Sequence, residues 1–195
     1  MLIIIFGLNG VGKDALVEKV ASTEDIIVSS SRMLMFELGL ISSFTARPNQ
    51  EDYLTLEQIP WEQKERLLRF RCGQSLKEIK AHNVFFLAHL VVCMYLDGKE
   101  HYRNYPFSPW LLGASGFARV TATPGEILAR REGDKRKRPL SFRQIKDNEE
   151  KSERRWENLI SRVGIKRAIE IHNKQGRLLE ASANLQRFLT SLEQK

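Results

Sequence analysis

The sequence predicts an α/β protein built on a five-stranded parallel sheet flanked by helices, and three observations carry that prediction. Five short apolar runs recur along the chain, at residues 2–6, 26–28, 84–87, 117–122 and 167–171. They are rich in β-branched and aromatic residues and show little alternation, as strands covered on both faces do. Segments with helical spacing separate them, and strand–helix alternation returns the chain to the same edge of a parallel sheet.

The elements follow in chain order. Leu2–Phe6 runs into a glycine-rich turn, and Ala15, Leu16, Lys19 and Val20 then keep helical spacing. After the second run, Ser30 or Ser31 is positioned to cap a helix carrying Met33, Leu34, Phe36 and Glu37. Residues 42–58 are mixed and read in part as loop. From Trp61 to Ala81, the positions Leu68, Cys72, Leu76 and Ile79 share one helical face. Asn83 opens the third run, and residues 102–109 are aromatic, proline-containing and irregular.

Pro124 stands where a helix should follow the fourth run. A charged stretch, residues 132–140, precedes a long polar helix that should bury Trp156, Leu159, Ile160 and Val163. Residues 173–176 make a turn, and a last helix presents Leu178, Leu185, Phe188 and Leu192. With no repeat, low-complexity tract or linker, 195 residues read as a single domain.

Composition narrows the setting. Apolar residues make up 42% and charged residues 28% of the chain, ordinary for a globular protein in water. The apolar start is too short for a secretory leader and lacks a basic preface, and no later run is long enough to cross a bilayer. Cys72 and Cys93 are the only cysteines and lack metal-ligand spacing. Read as buried reduced thiols, they point to a reducing compartment, the cytoplasm, while the shortness of the apolar runs speaks against a membrane. The net charge is +7, and between Arg130 and Arg155 eleven Lys/Arg face six Asp/Glu. Such a cluster suits a polyanion, either nucleotide phosphates or a nucleic acid, or else a solvated helix face with internal ion pairs.

The chemistry is concentrated in Gly7-Leu8-Asn9-Gly10-Val11-Gly12-Lys13-Asp14. Glycines allow the backbone to turn its N–H groups around an anion, and the helix that begins here adds the positive end of its dipole. Lys13 neutralises the outer phosphates. A strand before it and a helix after it make this the phosphate loop of a P-loop NTPase fold, with Gly7, Asn9, Gly10, Val11, Gly12, Lys13 and Asp14 as the nucleotide-binding set. A Ser or Thr that ligates magnesium normally follows the lysine; here Asp14 stands there. Asp14 either supplies that contact as a carboxylate or leaves a site with altered dependence on Mg2+. His89, at the end of the third run, either meets a phosphate or is hydrogen-bonded within the core.

With these segments placed, the chain resembles the nucleoside monophosphate kinases, most closely the archaeal-type adenylate kinases. The stretch 29–34 resembles the start of that family's monophosphate-binding helix, and Gln63-Lys64 with residues 83–89 its approach to the third strand. Residues 123–131 resemble its strand-to-lid turn, residues 134–138 its short arginine-rich lid, and residues 173–176 the turn before its last helix. The resemblance implies a single P-loop kinase-like domain over residues 1–195, with the loop at 7–14, a monophosphate-binding segment at 30–80 and a basic lid at 130–143. It implies transfer of the γ-phosphoryl group of ATP, with Mg2+, to a nucleoside monophosphate. Arg130, Arg136 and Arg138 would close over the phosphates as catalytic residues with Lys13, joined by Arg143 and Arg154. Arg47 and Arg32 would hold the monophosphate together with His89.

Two features depart from that family. Its third strand usually ends in an acidic residue, where this chain has Leu87-Ala88-His89; Arg32 stands where an aspartate is common. Two other functions therefore stay open: a nucleotide-binding regulatory or interaction protein, and a nucleic-acid-associated ATPase or end kinase using the Arg130–Arg155 cluster. Acceptors beyond AMP, deoxynucleotides included, also stay open.

Overall fold

The computed structural model describes residues 1–96, 99–132 and 141–194. Its centre is a five-stranded parallel sheet of β1 (Leu2–Phe6), β2 (Ile26–Ser29), β3 (Val84–Ala88), β6 (Gly116–Thr121) and β7 (Ala168–His172). The spatial order is β2-β3-β1-β6-β7, so β1 lies in the middle with β3 and β6 on either side. All five strands foreseen in the sequence are present, their ends displaced by a residue or two. β1 and β3 are buried along almost their whole length, which is why they carry apolar residues on both faces.

Alternate residues of the strands feed two cores. Ile4, Phe6, Phe86, Ala88 and Phe117 pack beneath α2 (Ser30–Glu37), α5 (Cys72–Glu78) and α8 (Phe142–Val163). Ile3, Ile5, Phe85, Leu87, Ala118 and Val120 pack beneath α1 (Lys13–Val20), α7 (Pro124–Glu132) and α9 (Leu178–Glu193). Each large side chain fully buried in this way contributes roughly 1.5–3 kcal/mol. Gly73 exists for this packing: a Cβ there would run into the indole of Trp110, which stacks edge-on to Phe86 and donates Nε1–H to the Leu68 carbonyl at 2.8 Å.

Several local expectations need correction. Ser29, not Ser30 or Ser31, caps α2, its hydroxyl accepting from the Arg32 N–H at 3.3 Å, because β2 ends one residue later than its apolar run. The tract read in part as loop contains α3 (Gln50–Gln58), begun by an Asn49/Asp52 capping box at 2.9 and 2.8 Å. The single helix expected over 61–81 is α4 (Trp61–Arg66), a π-helical turn at Leu67–Arg71 and then α5, ending at Glu78. The stretch after β3 is an antiparallel hairpin, β4 (Val91–Leu96) with β5 (Lys99–Asn104). Only residues 105–108 of the expected irregular stretch precede the short α6 (Pro109–Leu112).

The hairpin lies against α8. Lys151 sits 3.2 Å from the Tyr102 ring centroid, and Arg155 donates to the Tyr105 carbonyl at 2.8 Å while lying over Phe107. Deeper in the same layer, Arg119 of β6 is 3% exposed and bridges Glu149 of α8 at 2.7 Å and Glu170 of β7 at 3.1 Å. That arrangement fixes α8 to the strands, and removing either end would strand a buried charge. Burial raises the Glu149 pKa despite the opposing attraction of Arg119. Cys72 is buried, and desolvation pushes its thiol to about 12, leaving it unreactive; the Cys93 side chain lies outside the described residues. Among the described residues, no helix is long and apolar enough to cross a membrane.

Candidate functional site

Strands of a parallel sheet all end on the same side, and the candidate site forms there, where strand order reverses around β1. β1 ends at Phe6 and α1 begins at Lys13, so residues 7–12 are a tight loop between buried elements. Its glycines are required: Gly10 and Gly12 adopt φ of 90° and 83°, in the left-handed region that side chains disfavour. Gly12 is also the N-cap of α1, and a Cβ on it would sit 2.6 Å from Asn173 Nδ2.

Lys13 is 6% exposed and folds back over the loop, donating to the Gly7 carbonyl at 2.6 Å and the Leu8 carbonyl at 3.0 Å. Burial lowers its pKa to about 8; Asp14 opposes that shift, and Arg131 adds to it. The ammonium is therefore held mostly protonated at neutral pH in a desolvated position, where an arriving polyanion would gain most from it. His89, immediately after β3, bonds the same Gly7 oxygen through Nδ1 at 2.7 Å. A carbonyl only accepts, so Nδ1 carries the proton.

Asp14 is exposed on the first turn of α1. Among the described residues, no three His, Cys, Asp or Glu side chains converge on a metal-binding point. A magnesium ion accompanying a nucleotide needs fewer protein ligands than that: one or two carboxylates, with waters and phosphate oxygens completing its shell. Asp14 fits that role.

The backs of the loop residues are held from elsewhere in the sequence. Arg131 of α7 donates from Nε and Nη2 to the Asn9 carbonyl at 3.0 and 2.8 Å. Arg130 donates from Nη1 to the Val11 and Gly10 carbonyls at 3.1 and 3.4 Å, and from Nη2 to the Asn173 carbonyl at 2.8 Å. Asn173, just beyond β7, donates Nδ2–H to the Val11 carbonyl at 2.8 Å. Glu126 supports the opposite end of α7: it accepts from the Thr123 and Gln175 N–H groups, at 2.8 and 2.7 Å, and these bonds lower its pKa to about 2. Arg130, expected over the phosphates, is thus engaged with loop backbone. The contributions of Arg131 and Asn173 were not foreseen, for they link residues more than 100 positions apart.

The sites expected for an acceptor are further along the edge. β2 lies two strands from β1, about 10 Å away at ordinary strand spacing, and Arg32 lies in the first turn of α2, which follows it directly. The half-buried Arg32 guanidinium bonds no other described residue, and neither does that of exposed Arg47 in the loop before α3. Arg136 and Arg138, with most of the expected lid over 130–143, lie outside the described residues. Arg143 and Arg154 are exposed on α8.

Sheet order and loop together define the P-loop NTPase-type fold. No protein-family model matches the chain, and no curated relative is found by sequence. Solved structures do match over nearly the full length. Shikimate kinase from Bacteroides thetaiotaomicron superposes with a TM-score of 0.61 at 11% identity, covering 97% of this chain and 98% of its own. Shikimate kinase from Acinetobacter baumannii, in complex with shikimate, gives 0.53 at 14% identity over 100% and 95%. TT1252 from Thermus thermophilus gives 0.50 at 19% identity over 98% and 97%. At these identities the likeness is one of fold.

Proposed function

We propose that the protein is a P-loop kinase that transfers the γ-phosphoryl group of ATP to a small anionic acceptor, with a nucleoside monophosphate as the leading candidate. The observation that carries this reading is the loop with its buried ammonium: Lys13 is desolvated and, among the described residues, partnered only by loop carbonyls, where phosphate oxygens would be better partners. In the reaction an acceptor oxygen attacks the γ-phosphorus, the bond to the β–γ bridging oxygen breaks, and ADP leaves. The protein's share is to align two nucleotides and offset charge on the transferred group.

Residues 7–14 hold the donor. Lys13 stabilises charge on its outer phosphates, with Arg136 and Arg138 assigned to the same phosphates on sequence grounds. Asp14 would hold a magnesium ion, which when bound would neutralise charge on the donor's phosphates. Arg32 takes the anionic group of the acceptor, because a guanidinium meets two phosphate or carboxylate oxygens at once. Arg47 and His89 are assigned to the same acceptor on sequence grounds. An acceptor bearing a carboxylate, as shikimate does, would use the same arginine.

A second reading, a nucleotide-binding regulatory protein without efficient transfer, is favoured by one feature. The residue after β3 is a histidine bonded to the loop, where the resembled kinases carry a carboxylate. Incubating the protein with Mg-ATP and a panel of ribo- and deoxyribonucleoside monophosphates and shikimate separates the two. Phosphorylation of one acceptor, lost in Lys13→Met, supports the kinase. Tight ATP binding with no transfer to any acceptor supports the regulatory protein.

A further inference from the structure

The arginine pair at the end of α7 has a geometry that phosphate ligands would not need. In a trans peptide, the carbonyl of one residue and the N–H of the next point in opposite directions. Arg131 fixes the Asn9 carbonyl from one side, which turns the Gly10 N–H to the other. Arg130 does the same through the Gly10 and Val11 carbonyls for the Val11 and Gly12 N–H groups, and Asn173 adds a second donor on Val11. Three consecutive amides are thereby aimed away from the arginines, into the hollow of the loop. The Val11 N–H already reaches across that hollow to the Leu8 carbonyl at 3.4 Å.

The contact is close enough to shape the sequence. A Cβ on Gly10 would lie 3.3 Å from both Cγ and Nε of Arg131, and one on Gly12 would lie 2.6 Å from Asn173 Nδ2. The loop is glycine-rich on its outer side to admit the clamp, as well as for backbone conformation. α7 is itself anchored at its start by Glu126 to Gln175, so the arginines project from a helix tied to both ends of the turn that carries Asn173.

We propose that Arg130, Arg131 and Asn173 are positioning residues that preset the phosphate loop by holding its outward carbonyls, so that its amides face a nucleotide before one arrives. This builds on the nucleotide-binding reading but makes a claim about the ligand-free protein. Preset donors need no reorganisation on binding, so the clamp acts on donor affinity rather than on the chemical step. Arg131 also adds a positive charge near Lys13 and holds down its proton affinity.

The test compares wild type with Arg131→Gln, Arg131→Lys and Asn173→Asp, the last replacing a donor to the Val11 carbonyl with an acceptor. Amide hydrogen exchange at residues 9–12 is read in the ligand-free protein, and Mg-ATP affinity and kcat are measured alongside. Arg131→Gln should speed loop exchange and weaken Mg-ATP binding, each by about tenfold, the worth of one ~1.4 kcal/mol contact. kcat at saturating ATP should stay within about twofold, and the pH at which affinity declines should move upward from about 8. Arg131→Lys, which keeps one donor for Asn9, should recover part of each effect.

Unchanged loop exchange with a large fall in kcat would overturn the proposal and make the arginines ligands of the transferred group. Should Arg131→Gln fail to fold, Asn173→Asp carries the same comparison. A wild type that binds no Mg-ATP would sink the nucleotide reading, while the exchange data would still decide the clamp.

Discussion

The two ends of the candidate site are built in opposite ways. On the donor side, around β1, Lys13 bonds Gly7 and Leu8, His89 bonds Gly7, and Arg130 and Arg131 bond the loop carbonyls, while Asp14 is exposed. On the proposed acceptor side, beyond β2, the guanidinium groups of Arg32 and Arg47 bond no other described residue, and the helices around them are short and interrupted by a π-helical turn. The loop proposed to receive a triphosphate is braced by residues of the chain itself, and it buries an ammonium. The groups proposed to select an acceptor are left uncommitted. On the proposed reading, donor identity is expressed in the fold, and acceptor identity in a few side chains of α2 and the loop before α3.

Substitutions can sharpen that contrast. The largest effect belongs to Lys13→Met, which should weaken Mg-ATP binding by more than about 100-fold, since a charge-assisted contact in a dry site is lost. Calorimetric titration reads this directly. Arg32→Ala should raise the acceptor KM by about 10–100-fold, as expected for a hydrogen bond to a charged group, while ATP affinity holds. Equal damage to both substrates would dissolve the distinction between the two sides. Asp14→Ala should raise the magnesium concentration needed for half-maximal turnover by about tenfold, and unchanged magnesium dependence would remove Asp14 from the metal's ligands.

pH offers a subtler test. Burial lowers the Lys13 pKa in the folded protein to about 8, against 10.5 for an ordinary lysine, so between those values the unfolded chain binds more protons than the folded one. Stability of the ligand-free protein should therefore rise with pH across that window, by about 3 kcal/mol in total, and the slope should vanish in Lys13→Met. Mg-ATP affinity should run the other way, falling above about 8 as the ammonium loses its proton. The smallest effect lies away from the site. Gly73→Ala forces a methyl into the Trp110 ring and should lower stability by about 1–3 kcal/mol in chemical denaturation, without changing ATP affinity.

The legibility of the sequence follows the same division. The five buried strands and the loop could be read because continuous β-branched runs and glycine spacing are local signals. The hairpin was missed because β3 and β4 form nearly one apolar run, although Asp97-Gly98, between β4 and β5, is itself a hairpin signal. α3 was missed although Asn49 and Asp52 stand at capping-box spacing. Other features had no local signal. That Arg130 grips Val11 rather than projecting over the loop depends on α7 packing beside it, a relation between residues 119 positions apart. The single fork of Arg119 between Glu149 and Glu170 likewise joins three elements that only the finished sheet brings together.

The most direct test of the account is Mg-ATP titration into wild type and Lys13→Met at pH 7 by calorimetry. The account predicts saturable binding to wild type, with a Kd of about 1 mM or tighter, and none measurable in the variant. Equal binding by both proteins, or none by either, would contradict the claim that this loop and its buried lysine form a nucleotide site.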